Sequence, residues 1–110
     1  MQFTCNETDQ ALVVRLAGEV IMDAVAEDKA EIERQAMASC ASGVVVDLGG
    51  VTFMDSSGVG FLIGLRRLCQ ERGKTMNVVN PSPPIKKLLD MLRLSDYFAA
   101  SGKPADPASA

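Results

Sequence analysis

The chain contains no histidine and no tryptophan. Without histidine there is neither a Ser-His-Asp triad nor an imidazole-ligated metal centre. Nor does the one serine-rich turn, Met54-Asp55-Ser56-Ser57-Gly58, carry the glycine two residues before the serine that a nucleophile elbow needs. Cysteine is sparse. Cys5, Cys40 and Cys69 are odd in number and far apart, which reads as small buried hydrophobes in a reducing, cytoplasmic compartment rather than a disulfide framework or metal cluster. No apolar run approaches the ~20 residues that a membrane-spanning helix needs, and the N-terminus lacks a charged-then-apolar leader, so no direct membrane insertion is expected. Basic tracts are limited to pairs such as Arg66-Arg67 and Lys86-Lys87. With a formal net charge of −3 this argues against nucleic-acid binding.

What is present is enough for one domain. The 110 residues support a single core with little to spare. The chain is organised around Val44 to Gly64. Val44, Val45, Val46 and Leu48 form a β-branched run without alternation, the pattern of a strand buried on both faces. Gly49-Gly50 is expected to break it, and Val51 to Met54 make a second short apolar step. Asp55-Ser56-Ser57-Gly58 then precedes a helical apolar pattern. Asp and Ser at that point accept bonds from unpaired backbone amides, so two hydroxyls are expected at the positive end of a helix dipole, at the mouth of a buried strand.

The remaining elements follow from periodicity. Gln2–Cys5 and Ala11–Ala17 read as two short strands joined by a polar turn, hence an antiparallel pair, ended by Gly18-Glu19. Asp23 to about Cys40 reads as a helix with Met22, Val25, Ile32, Ala36 and Cys40 on one side. Lys29 falls in that stripe, its stem covering the edge while its ammonium reaches water. The next helix runs from after Ser57 to about Arg72, closed by Gly73, with Phe61, Leu62, Leu65, Leu68 and Cys69 inward. Gly60 and Gly64 interrupt it, each costing ~1 kcal/mol against Ala. They share a face with Ser57, and Val59 and Ile63 lie off the core stripe, expected at the surface near the same end. Two readings stand: the glycines admit close packing of another element of this domain, or they form a flat shelf, headed by Ser57, for a partner. Thr75–Val79 is a further strand. Ser82 caps a helix with Pro in its first turn and Ile85, Leu88, Leu89 and Leu92 on one face. Leu94 to Phe98 is a last turn that packs Phe98 inward. Residues 99–110 are Ala, Ser, Gly and Pro rich and expected to be disordered. The sum, β-β-α-β-α-β-α, predicts an α/β domain over 1–98: a mainly parallel four- to five-stranded sheet with an antiparallel N-terminal edge hairpin and helices packed on it.

Val44 to Gly60, with Asn80-Pro81-Ser82 and Leu94-Ser95-Asp96-Tyr97-Phe98 downstream, resembles the STAS domain of bacterial anti-sigma factor antagonists, over about Phe3 to Phe98. The resemblance implies a non-enzymatic partner-switching protein without cofactor or metal. Its unphosphorylated form would bind an anti-sigma factor that is also a serine kinase of the histidine-kinase-like ATPase fold, and a metal-dependent serine phosphatase would reverse the kinase's modification. It implies Ser57 as phosphate acceptor, with Asp55, Ser56, Gly58, Val59, Gly60, Ile63 and Gly64 meeting the partner. Asp55 either caps the helix or orients the kinase, and Ser56 is a structural cap or a second acceptor. Thr52 is a strand-end residue or another modification site, and Asp47 satisfies the Gly49-Gly50 turn. The family has an Asp soon after the Gly-Glu that ends its second strand. Here Val20-Ile21-Met22 follow and Asp23 comes later. A phosphate would add about −1.5 to −2 charges, tolerated by a helix N-terminus but repelled by a partner surface shaped for a hydroxyl. The alternative is a non-catalytic STAS subunit of a transport or sensory complex.

Overall fold

A computed structural model of the protein describes residues 1–100, the last two by backbone alone. Its elements are β1 (Gln2–Glu7), β2 (Ala11–Val20), α1 (Met22–Ala38), β3 (Gly43–Met54), α2 (Ser56–Glu71), β4 (Thr75–Val79), α3 (Pro83–Met91) and α4 (Ser95–Ala100). The sheet has four strands in the order β1-β2-β3-β4. β1 runs antiparallel to β2, while β2, β3 and β4 are mutually parallel. The expected mainly parallel sheet with an edge hairpin is therefore what forms. The rest of the expected C-terminal tail lies outside the described residues.

The core sits on one face of the sheet. Leu12, Val14 and Leu16 of β2 and Val44, Val46 and Leu48 of β3 are buried, joined by Met76 of β4. Val25, Ile32 and Ala36 of α1 and Phe61, Leu62, Leu65 and Cys69 of α2 complete the same cluster. Burying each large side chain contributes ~1.5–3 kcal/mol relative to leaving it in water. The alternate positions on the strands, Val13, Val45, Asp47 and Asn77, are only half-buried. The expectation that β3 is buried on both faces is thus corrected: the helices that carry the core cover a single side.

Gly49-Gly50 does not break β3. Pairing with β2 continues through Ala17↔Gly50, Gly18↔Val51 and Val20↔Met54, with shifts of register after Arg15 and after Gly18. Each shift inserts one extra residue on β3, a β-bulge. The bulges change the buried sequence from Val44, Val46, Leu48 to Val51 and then Met54, which leaves Thr52 and Phe53 exposed. The bulge amide is satisfied locally: Gly49 N–H donates to Asp47 Oδ1 at 2.8 Å, and Arg15 Nε stands 3.6 Å from Asp47 Oδ2. β2 likewise passes through Gly18, at φ +85°, instead of stopping there.

Three smaller expectations also change. α1 ends at Ala38, so Cys40 lies beyond it and is exposed, and Met22 at its first position is 63% exposed instead of joining the stripe. Ser82 stands at the N-cap position of α3 without capping it; its hydroxyl donates to the Val51 carbonyl and ties α3 to β3. Leu92 follows the last residue of α3 and is exposed. Phe98 is buried as expected, edge-on to Tyr97, and the Arg66 guanidinium lies 4.1 Å from the Tyr97 ring centre, holding α4 against α2.

Candidate functional site

The site forms where β3 gives way to α2. Pairing of Val20 with Met54 brings the ends of β2 and β3 together, and Asp55 N–H donates to the Val20 carbonyl at 3.3 Å. Asp55 then leaves the strand in extended conformation and becomes the N-cap of α2. Its Oδ1 accepts from Ser57 N–H at 2.9 Å and Gly58 N–H at 3.1 Å. Its Oδ2 accepts from Met22 N–H at 3.1 Å, across 33 residues of sequence. One carboxylate thereby caps α2 and fastens the start of α1 to it, since both helices begin with amides that have no partner of their own.

Ser56 is the first residue of α2 and is exposed; with Asp55 in the capping position, the expectation of Ser56 as the cap is corrected. Ser57 is the second residue, half-buried, and its hydroxyl enters no hydrogen bond among the described residues. Gly58 is buried. A Cβ there would stand 2.5 Å from Met54 Cγ and 2.6 Å from the Val20 carbonyl oxygen, so only glycine lets α2 start this close to β2. Val59 is buried in the core, 9% exposed, and Ile63 is half-buried against it. The expectation of Val59 at the surface is corrected: the tight approach at Gly58 turns the next residue toward the sheet. Gly58 and Val59 therefore face their own domain, away from the surface that a partner would meet.

Gly60 and Gly64 behave differently. A Cβ at either would meet nothing within 4 Å. Among the described residues nothing packs closely against either position, so close packing within the domain does not account for them. Gly64 borders a shallow groove whose walls are Lys29 and Glu33 of α1 and Arg67, Leu68 and Glu71 of α2. Ser57, Gly60 and Gly64 thus run along one open face of α2.

Two residues at this end were not singled out in the sequence. Met22, tethered through its amide to Asp55, and Phe53, 53% exposed and two residues before Asp55, present apolar surface near the start of α2. Met22 fits the periodicity of α1, and nothing in the sequence shows that its helix starts there. Phe53 fits a strand alternation that the bulges have shifted. Asp23 falls in the first turn of α1, next to Met22. Charge at this end is one-sided: the segments 16–28 and 48–65 contain no Lys or Arg but include Glu19, Asp23, Glu27, Asp28 and Asp55. Among the described residues no group of three or more side chains is placed to hold a metal ion, and no helix is long and apolar enough to cross a membrane.

A mixed four-stranded sheet with a capped Asp-Ser-Ser-Gly helix start defines a class of small α/β domain, and the comparisons agree: the STAS domain family matches residues 2–106, and this chain belongs to it. An anti-sigma F factor antagonist from Lysinibacillus sphaericus is 34% identical over 92 residues, 83% of this chain and 78% of the relative. The structure of the anti-sigma factor antagonist SpoIIAA in its unphosphorylated form superposes with a TM-score of 0.74 at 28% identity, over 87% of this chain and 84% of that one. The phosphorylated form of SpoIIAA, the Bacillus cell fate determinant, gives 0.69 at 26% identity, over 89% and 88%.

Proposed function

We propose that the protein is a phosphorylation-switched anti-sigma factor antagonist of the cytoplasm. Unphosphorylated, it binds a regulatory serine kinase of the histidine-kinase-like ATPase fold that also holds a sigma factor. Phosphorylated on Ser57, it lets that partner go. The observation that carries the reading is the placement of Ser57: an unengaged hydroxyl at the second position of a helix, heading an open glycine face that the domain itself does not use. Relatives bearing the antagonist name, one of them known in a phosphorylated form, support it.

The chain supplies the acceptor and not the catalyst. The Ser57 oxygen takes the γ-phosphoryl group of ATP. A P–O bond forms to Oγ, the bond to the β-phosphate oxygen breaks, ADP departs, and the hydroxyl proton passes to a base of the kinase or to water. A metal-dependent phosphatase returns the hydroxyl by adding water across the ester. The phosphate brings about −1.5 to −2 charges to an end of the domain that holds no Lys or Arg in its two framing segments. A loss of ~3–4 kcal/mol at the interface weakens binding by two to three decades, without a change of fold.

The test is incubation with the cognate kinase and ATP, followed by mass-spectrometric mapping. Phosphate on Ser57, absent from Ser57→Ala, is the expected result. Phosphate elsewhere, or a stable complex that never becomes phosphorylated, returns the protein to the alternative of a static subunit in a transport or sensory assembly.

A further inference from the structure

A phosphate at the second residue of a helix ordinarily finds free first-turn N–H groups and the positive end of the helix dipole. At Ser57 those groups are already occupied. The Ser57 and Gly58 amides donate to Asp55 Oδ1, and the Gly58 and Val59 amides also lie 3.0 and 3.1 Å from the Asp55 carbonyl oxygen. The other carboxylate oxygen is held by Met22 N–H, so Asp55 is fixed from both sides and cannot swing away without releasing the start of α1. In the first turn only the Ser56 amide donates to none of these acceptors.

The surroundings offer little compensation. Glu19 at the end of β2 and Asp23 and Glu27 at the start of α1 add negative charge. The first cations along α1 and α2 are Lys29 and Arg66, about two helical turns or more beyond Met22 and Ser57, and the Arg66 guanidinium is stacked over the Tyr97 ring. On α3, Lys86 is engaged with Asp90 at 3.2 Å and Lys87 is exposed.

We propose that Asp55 withholds the start of α2 from a phosphate on Ser57, so that the phosphoryl group stands outward and unneutralised by its own domain. The proposal rests on Ser57 being the acceptor. Asp55 is a positioning residue here: it sets where the phosphate points and how readily it loses its second proton. Repulsion from the fixed carboxylate raises that second ionisation above the value near 6 of a free phosphoserine.

The experiment uses the full chain with phosphoserine installed at position 57 during translation, so that no kinase is involved. A 31P NMR titration of the folded protein is compared with the same protein in urea. The folded protein is expected to show a second pKa about one unit higher. Asp55→Asn and Asp55→Ser, both of which retain an N-cap acceptor, are expected to bring it down to the unfolded value or below. Circular dichroism verifies that each variant is folded, and either one alone is sufficient. A folded value at or below the unfolded one shows that the amides or a cation hold the phosphate and overturns the proposal. So does a raised value that neither substitution lowers. Failure of Ser57 as the acceptor shows itself separately, in the mapping experiment with the kinase.

Discussion

Three glycines of α2 differ in what holds them at their positions, one required by packing and two facing open space. At Gly58 a methyl group would press on Met54 and on the backbone carbonyl of Val20. Backbone cannot yield as a flexible side chain can, so Gly58→Ala is expected to lower stability by about 2–3 kcal/mol, read as a fall in the urea midpoint. Gly60→Ala and Gly64→Ala meet open space and should each raise stability by ~0.5–1 kcal/mol, because alanine restricts the unfolded chain. If the glycine face is the docking surface, the same two variants bind the partner kinase less tightly in calorimetry. A gain in stability with unchanged affinity would remove Gly60 and Gly64 from the interface. The cysteines are also decided at this scale. Burial pushes the Cys69 thiol up, although the Lys74 ammonium pulls it down, and burial followed by Glu31 raises Cys5. Cys40 is exposed and should react first with a thiol reagent in the folded protein, with Cys69 protected until unfolding.

Elements are held at their ends. α2 is capped by Asp55. The chain just past α1 is held by Lys74, whose ammonium donates to the Ser39 and Ala41 carbonyls at 2.8 and 2.6 Å. Lys74→Met keeps most of the stem and removes both bonds. Hydrogen bonds from a charged donor contribute ~1.5–3 kcal/mol when buried, and this site is only half-buried, so a loss of about 1–2 kcal/mol is expected on urea unfolding. Most elements were legible from periodicity alone. β4 is found at the expected Thr75–Val79, and α2 ends within a residue of the expected position. β3 was misjudged because Gly49-Gly50 has the composition of a turn, whereas neighbouring β2 supplies the pairing that keeps the strand running. Capping was left open at Asp55, where it is found, and misassigned at Ser56 and Ser82, because adjacent polar residues offer the same oxygen acceptors and only the path of the backbone chooses among them.

At the scale of the whole molecule, the absence of histidine also shapes the pH response. Arg34 and then Gln35 donate to Glu31 and hold its carboxyl at about 2, and Ser95 followed by Lys86 lowers Asp90. Carboxylates depressed on folding stabilise above their unfolded pKa values, and the contribution fades as pH falls through the folded ones. Both side chains lie at the surface, about half exposed to water, so each effect is small. The urea midpoint is expected to stay level from pH 8 to 6 and to decline below about pH 4. A midpoint that shifts strongly between pH 6 and 8 would contradict this account.

The sequence by itself determined the alternation of strands and helices, the parallel sheet with its edge hairpin, and the short Asp55-Ser56-Ser57-Gly58 block, because these depend on local periodicity and on residues adjacent in the chain. Only the tertiary structure decided which faces are open. It put Val59 inside and Met22 outside, left room for a side chain at Gly60 and Gly64, and joined Asp55 to an amide 33 residues away. Exposure and long-range hydrogen bonds depend on which elements lie against one another, and a bulge in one strand reassigns every face that follows it.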